Sequence, residues 1–78
     1  MKHMISITLS VIIYVASGQN QMGERIMAEL IDQHQNGTVT GLVYDRLARI
    51  PVTGEWTGVG QAVVVGPDGQ EYQVEVVE

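Results

Sequence analysis

The chain has 78 residues, of which 45% are hydrophobic, and it carries four basic residues, nine acidic residues and a formal net charge of -5. A chain this short builds one small core rather than a two-domain enzyme with a cleft, and without cysteine it has no disulfide framework, thiolate nucleophile or cysteine-ligated metal. The acidic balance disfavours nucleic-acid binding, because affinity for phosphate comes largely from Lys and Arg.

The N-terminal residues indicate a remnant followed by a strand. Residues 1–3 are typical of a cloning-vector remnant, so we expect one compact domain over residues 4–78. The odd-numbered positions from Ile5 to Val15 are all apolar, whereas Ser and Thr occupy the first even-numbered ones. This alternation is the period of a strand.

The same segment admits a second interpretation. An apolar run followed by small residues around Ser17 resembles a secretory signal peptide. Because the polar interruptions favour the strand, we expect a cytoplasmic protein, with secretion as the alternative if residues 4–17 act as a signal. The run is too short for a transmembrane helix, so no membrane association is expected.

The segment after Gly18 changes to a helical period. The Asn20 side chain can accept a hydrogen bond from a backbone N–H in the first turn of a helix. Asn36-Gly37 can end that helix, because Gly readily adopts the left-handed conformation found at helix C-termini. The sequence therefore predicts a helix over about residues 21–35. Its apolar stripe comprises Met22, Ile26, Met27, Leu30, Ile31 and His34.

The next segment is rich in β-forming residues. Residues 38–44 predict a strand in which Gly41 marks a bulge or a close backbone approach. Residues 45–50 are ambiguous between a strand and a short helical turn, and Pro51 is expected to end them. Turns are expected at Thr53-Gly54 and at residues 57–60, on either side of Trp56.

The C-terminal part predicts a β-hairpin around Gly66-Pro67-Asp68-Gly69, in which Gly69 takes a left-handed conformation. If Gly66 pairs with Gln70, the register of the two strands is fixed. The core face then pairs Val64 with Tyr72, Ala62 with Val74 and Gly60 with Val76, and the other face pairs Val65 with Glu71, Val63 with Gln73 and Gln61 with Glu75.

Together these elements predict an α+β domain of order β-α-β-β-β, with one helix on one face of a mostly antiparallel sheet of four or five strands. The first crossover could place strands one and two parallel. The single helix would leave apolar side chains bare on the other face: Ile12, Tyr14, Val63 and Val65. Such a patch, together with an unpaired edge on the first strand, predicts a homo-oligomer, most simply a two-fold dimer.

The sequence contains no strong motif for catalysis, phosphate binding or metal binding. His34 is interpreted as a boundary residue near the helix end, so no catalytic triad is expected. Gly18 and Gly23 are spaced like a phosphate loop, but Glu24 follows where such a loop needs Lys. The acids of residues 71–75 alternate along one strand face and are interpreted as solvated. We therefore expect no catalytic residue, no metal and no cofactor, and the sequence favours a non-enzyme over an enzyme.

The candidate contact residues are chosen for their aromatic or basic side chains and for the bare apolar face. They are Trp56, Tyr44, Arg46, Arg49, Tyr14, Val63 and Val65. The function predicted is a small acidic, oligomeric binding module that contacts a protein partner, as an accessory or inhibitory protein of bacterial or mobile-element origin. The alternative is a minimal enzyme or small-ligand carrier with a pocket formed at a subunit interface around Trp56.

Overall fold

The computed structural model describes residues 12–32 and 37–77, which form a closed barrel of six antiparallel strands. The strands follow chain order around the barrel, and the last strand pairs with the first. They are β1 (Ile13–Gln19), β2 (Arg25–Ile31), β3 (Thr38–Asp45), β4 (Ala48–Gly58), β5 (Gln61–Val65) and β6 (Glu71–Val76). Because the sheet closes on itself, each of these strands is hydrogen-bonded on both sides.

The connections define two ends of the barrel. The β1–β2, β3–β4 and β5–β6 turns lie at one end, which we call the Arg46 end. The β2–β3 and β4–β5 connections lie at the other, which we call the Trp56 end, together with the start of β1 and the end of β6. The two ends therefore present different loops to a partner.

Alternate residues of every strand face the interior, which contains no buried polar or charged residue among those described. A six-stranded barrel has little interior volume, so small residues occupy inward positions on five strands. These are Ala16 and Gly18 in β1, Ala28 in β2, Gly41 in β3, Gly54 in β4 and Ala62 in β5. The larger fully buried side chains are Tyr72, Ile26, Leu30, Val39, Val43 and Val64.

Three strand glycines allow neighbouring backbones to approach closely. A Cβ at Gly18, Gly41 or Gly54 would overlap a backbone carbonyl oxygen of the adjacent strand. The close approach expected at Gly41 is therefore confirmed. The turn expected at Thr53-Gly54 is wrong, because Gly54 lies inside β4. Gly18 likewise lies inside β1, and at both glycines the sheet bends into the barrel.

The predicted helix is wrong, since residues 25–31 form strand β2 and the described residues contain no helix. Ile26 and Leu30 are buried as expected, but a spacing of four residues suits a helix of period 3.6 and a strand of period 2 alike. Ala28, between them, is also buried, whereas Met27 is exposed. Backbone hydrogen bonds to β1 and β3 override the helix propensity of Met, Ala, Glu and Leu.

The α+β class and the mixed sheet are therefore corrected to an all-β, all-antiparallel barrel. Pro51 does not end a segment but lies inside β4, opposite Leu42. The first β4–β5 pair is Thr53 with Val65, so no β5 residue is paired at Pro51, which lacks an N–H. Of residues 45–50, Asp45 ends β3, residues 46 and 47 form a two-residue turn, and residues 48–50 begin β4.

The first strand also differs from expectation. Its predicted unpaired edge is wrong, because β1 pairs with β2 on one side and β6 on the other. Tyr14 and Ala16 face the interior, while Ile13 and Val15 face outward. The predicted vector remnant, the strand residues before Ile12, and the histidines His3 and His34 lie outside the described residues.

The C-terminal hairpin is confirmed. The register is as predicted, with Val64 opposite Tyr72, Ala62 opposite Val74 and Gln61 opposite Glu75. The Gly66 N–H donates to the Gln70 carbonyl at 2.8 Å, and Gly69 has a φ of 80°. Local turn chemistry was sufficient to determine this register.

Strand and helix make the same prediction for Leu30 and different predictions for Met27. In β2 the two side chains point to opposite sides, so Leu30→Ala should destabilise the protein by about 3 kcal/mol by opening a cavity. Met27→Ala, at a position 44% exposed, should cost less than about 1 kcal/mol. Urea denaturation measures both; equal large costs would indicate the helix.

The close approach of the β4 and β5 backbones is tested at Gly54. Gly54→Ala places a methyl group against the Val63 carbonyl, so we expect a loss of about 3 kcal/mol or more in the free energy of unfolding. The control is Gly69→Ala, where φ is 80° but the space is open, and which should cost about 1 kcal/mol. A Gly54→Ala variant as stable as the control would contradict the close approach.

Candidate functional site

The Arg46 end is organised by the side chain of Asn20, in the β1–β2 turn. Asn20 Oδ1 accepts hydrogen bonds from the backbone N–H groups of Met22 at 3.0 Å and Glu24 at 2.9 Å. Its Nδ2 donates to Glu24 Oε1 at 2.8 Å. The helix cap expected at Asn20 is wrong, because no helix follows it. Asn20 instead satisfies backbone donors of a turn between two strands.

The β3–β4 turn is joined to this turn by an ion pair. Arg46 Nη2 lies 2.7 Å from Glu24 Oε2, and both side chains are substantially exposed. Arg46 also has a φ of 59°, the one positive value among the described non-glycine residues. A two-residue hairpin turn requires such an angle, and at Arg it costs about 1–2 kcal/mol relative to Gly.

Two large apolar side chains project beside this pair. Leu47, the second turn residue, is fully exposed, and Met22 is nearly so. Between the three turns lies an open cavity of about 470 Å³. Its floor includes Ile50 and Tyr72, and its rim includes Glu24, Arg46 and Glu71.

Further hydrogen bonds attach the third turn. The Glu71 N–H donates to Gln21 Oε1 at 3.4 Å, and the buried Tyr72 donates its hydroxyl to Gln70 Oε1 at 2.7 Å. Burial, and then the carboxylates of Asp45 and Asp68, raise the pKa of Tyr72, so its hydroxyl remains a donor at neutral pH. All three turns of the Arg46 end are therefore held by side-chain contacts.

The Trp56 end contains two of the three aromatic residues predicted as contact candidates. The Tyr14 and Trp56 rings lie edge to face, with centroids 5.8 Å apart, and pack against the core. Trp56 Nε1 is buried and has no hydrogen-bond partner among the described residues. Both residues thus close the interior of the barrel and are only partly accessible.

The other candidates lie on the outer wall. Tyr44 and Arg49 face each other across β3 and β4, and the Tyr44 hydroxyl donates to Glu29 Oε1 at 2.7 Å. This hydrogen bond to a carboxylate raises the pKa of Tyr44. Val63 and Val65 face outward on β5.

The predicted patch of Tyr44, Arg46, Arg49 and Trp56 is therefore brought together only in part. Tyr44 and Arg49 are neighbours close to the Arg46 turn, whereas Trp56 faces inward at the opposite end. Sequence reasoning missed Met22, Glu24 and Leu47 as candidate contact residues. No local turn motif marks Leu47, because Arg46-Leu47 lacks the Gly or Asn that is typical of a two-residue hairpin turn.

A second concavity, of about 660 Å³, lies on the outer wall over β5, β6 and β1. Its polar lining is mainly amide side chains, from Gln19, Gln61 and Gln73, with Glu75 and Arg25 at its sides.

Among residues 12–32 and 37–77, no group of three or more His, Cys, Asp or Glu side chains is placed to hold a metal ion. Nor do these residues include a helix long and apolar enough to cross a membrane.

Comparison of the chain with protein-family models, with curated proteins and with solved structures gives no match.

The contacts of Glu24 predict its titration. Hydrogen bonding from Asn20, followed by the Arg46 contact, lowers the pKa of Glu24. The interactions of the carboxylate are thus fully present above the unfolded pKa and are lost as the pH falls through the lowered folded value. Asn20→Ala should raise the pKa of Glu24, whereas Arg49→Ala, which removes a distant charge, should leave it unchanged. NMR titration of the Glu24 carboxyl carbon measures both, and an unchanged value in Asn20→Ala would contradict the assignment.

Proposed function

We propose that this protein is a small acidic binding module that contacts another protein through the Arg46 end. The observation that carries the proposal is the Arg46 turn, in which a strained residue is held by the Glu24 ion pair. Backbone strain is retained where the surrounding structure or function requires it, and glycine would remove it here. The fold alone does not require Arg at this position.

The exposed apolar residues support the same surface. Met and Arg are enriched where proteins meet, and Met22 and Arg46 lie on adjacent turns beside the exposed Leu47. The contacts of Asn20 fix the Met22 turn before any partner binds. Such preordering lowers the entropy lost on association, which otherwise weakens binding by flexible loops.

The surrounding charge indicates the chemistry of the partner. Carboxylates of Glu24, Asp45, Asp68 and Glu71 lie in or beside the three turns, and they outnumber the guanidinium groups at this end, which belong to Arg46, Arg25 and Arg49. We infer that the partner presents basic groups around an apolar depression that receives Leu47. Complementary charge of this kind increases the association rate and selects among partners.

The alternative function, a ligand carrier with a pocket around Trp56, has less support. A ligand pocket there would need buried polar groups beside Trp56 to orient the ligand. The described core residues are all apolar. The unpaired Trp56 Nε1 is the one feature that favours it.

The proposal is tested by comparing two fully exposed turn residues at opposite ends of the barrel. The full chain is used as bait in an extract of the host that encodes it, and a captured protein is purified and titrated against variants by calorimetry. We expect Leu47→Ser to weaken binding at least about tenfold, or 1.4 kcal/mol. Val59→Ser removes an equally exposed side chain at the Trp56 end and should bind normally.

A third variant separates stability from binding. Arg46→Gly relieves the positive φ and loses only an exposed ion pair, so its free energy of unfolding should stay equal or rise by about 1 kcal/mol. Its binding should nevertheless weaken. Normal binding by both Leu47→Ser and Arg46→Gly would refute the assignment of this surface.

A further inference from the structure

An apolar surface lies on the outside of β1 and its neighbours, near the Trp56 end. We call it the β1 wall and define it by Ile13, Val15, Ile31 and Val77. Ile13 is 58% exposed, Val15 49% and Val77 46%. Ile13 pairs with Ile31, and the Val77 N–H donates to the Val15 carbonyl, so the four side chains are adjacent.

The β1 wall is large for a monomer of this size. Four partly exposed aliphatic side chains together approach a few hundred Å², the size at which an apolar patch often marks an interaction site. The described part of the chain leaves these side chains exposed. The backbone of β1 is already paired on both sides, so a partner must pack on the side chains instead of adding a strand.

The four side chains of the β1 wall are all uncharged, and the acid of β2 that borders them is turned away by a hydrogen bond. This acid is Glu29, opposite Val15, and the Glu29 carboxylate accepts the Tyr44 hydroxyl from β3, on the side away from β1. The carboxylates of the Arg46 end lie at the opposite end of the strands. Each copy has a net charge of -5, but two copies can bring their β1 walls together while the carboxylates of their Arg46 ends stay apart.

The small core gives association an energetic role. The barrel interior is filled mainly by Val and Ala, and the chain has no cysteine for a disulfide. Chains below about 80 residues commonly need a further source of stability, and oligomerisation is one of the few available. Burying the walls of two copies would remove aliphatic surface from water on both subunits at once.

From these observations we propose that the protein forms a two-fold dimer in which the β1 wall of one copy packs on the β1 wall of a second. In a two-fold contact the same patch serves both subunits, so an uncharged apolar wall is complementary to itself. The Arg46 end remains uncovered at the far end of the strands. The dimer therefore presents two copies of that surface, and a partner with two sites would bind it more tightly through avidity.

The first experiment compares Val15→Lys with Thr53→Lys in the full chain. Both positions face outward, and both variants add one positive charge, but Thr53 lies on β4, away from the wall. Sedimentation velocity across the micromolar range should show a dimer for the unmodified chain and for Thr53→Lys. Val15→Lys should raise the dimer dissociation constant at least about tenfold. Because the added charge reduces the overall negative repulsion, dissociation by Val15→Lys cannot result from net charge.

The second experiment uses the lack of cysteine. With no native thiol, Val15→Cys and Thr53→Cys each report one position. A short bismaleimide should cross-link Val15→Cys into a covalent dimer and leave Thr53→Cys monomeric. Circular dichroism verifies that both variants fold.

Three results would overturn the proposal. The first is a full chain that remains monomeric throughout the range, which would leave the wall to residues 1–11 or to a different protein. The second is a dimer that Val15→Lys and Thr53→Lys affect equally, which would place the contact elsewhere. The third is equal cross-linking at both cysteine positions. None of these readouts depends on the partner of the Arg46 end.

Discussion

The close approach of backbones at Gly18, Gly41 and Gly54 is the constraint on which the rest of the structure depends. A six-stranded sheet closes only if it bends sharply, and at these positions a side chain would occupy the space of a neighbouring carbonyl. Closure gives every described strand two partners, so a short chain satisfies its backbone without a helix. The same closure leaves little interior volume, which is why alanine and valine dominate the core.

Closure also determines where this molecule can interact. With both edges of each strand hydrogen-bonded, a partner cannot add a strand and must use side chains. Two surfaces meet that requirement: the turns around Arg46 and the outer wall around Val15. The first combines charge, strain and exposed apolar groups, as expected for selective recognition. The second is uniform and uncharged, which suits association between identical copies.

The Arg46 end shows how turns are made rigid at low cost. Asn20 satisfies two backbone donors and positions Glu24, and Glu24 then holds Arg46 of the next hairpin. Each exposed contact contributes little to stability by itself. Acting together, they order two turns whose apolar residues face solvent. This distribution of order fits a surface that works by binding.

The sequence by itself determined the C-terminal hairpin and the identity of several core residues. The Gly66–Gly69 turn fixes a register through local backbone geometry, and Ile26 and Leu30 are buried in a helix and a strand alike. Only the tertiary structure decided that residues 25–31 are a strand, because their hydrogen-bond partners lie in β1 and β3. It also decided which candidates meet: the Glu24–Arg46 contact joins residues from different hairpins, and closure turns Trp56 inward, away from Arg49. No local period encodes contacts between distant segments, so these features arise only when the sheet closes.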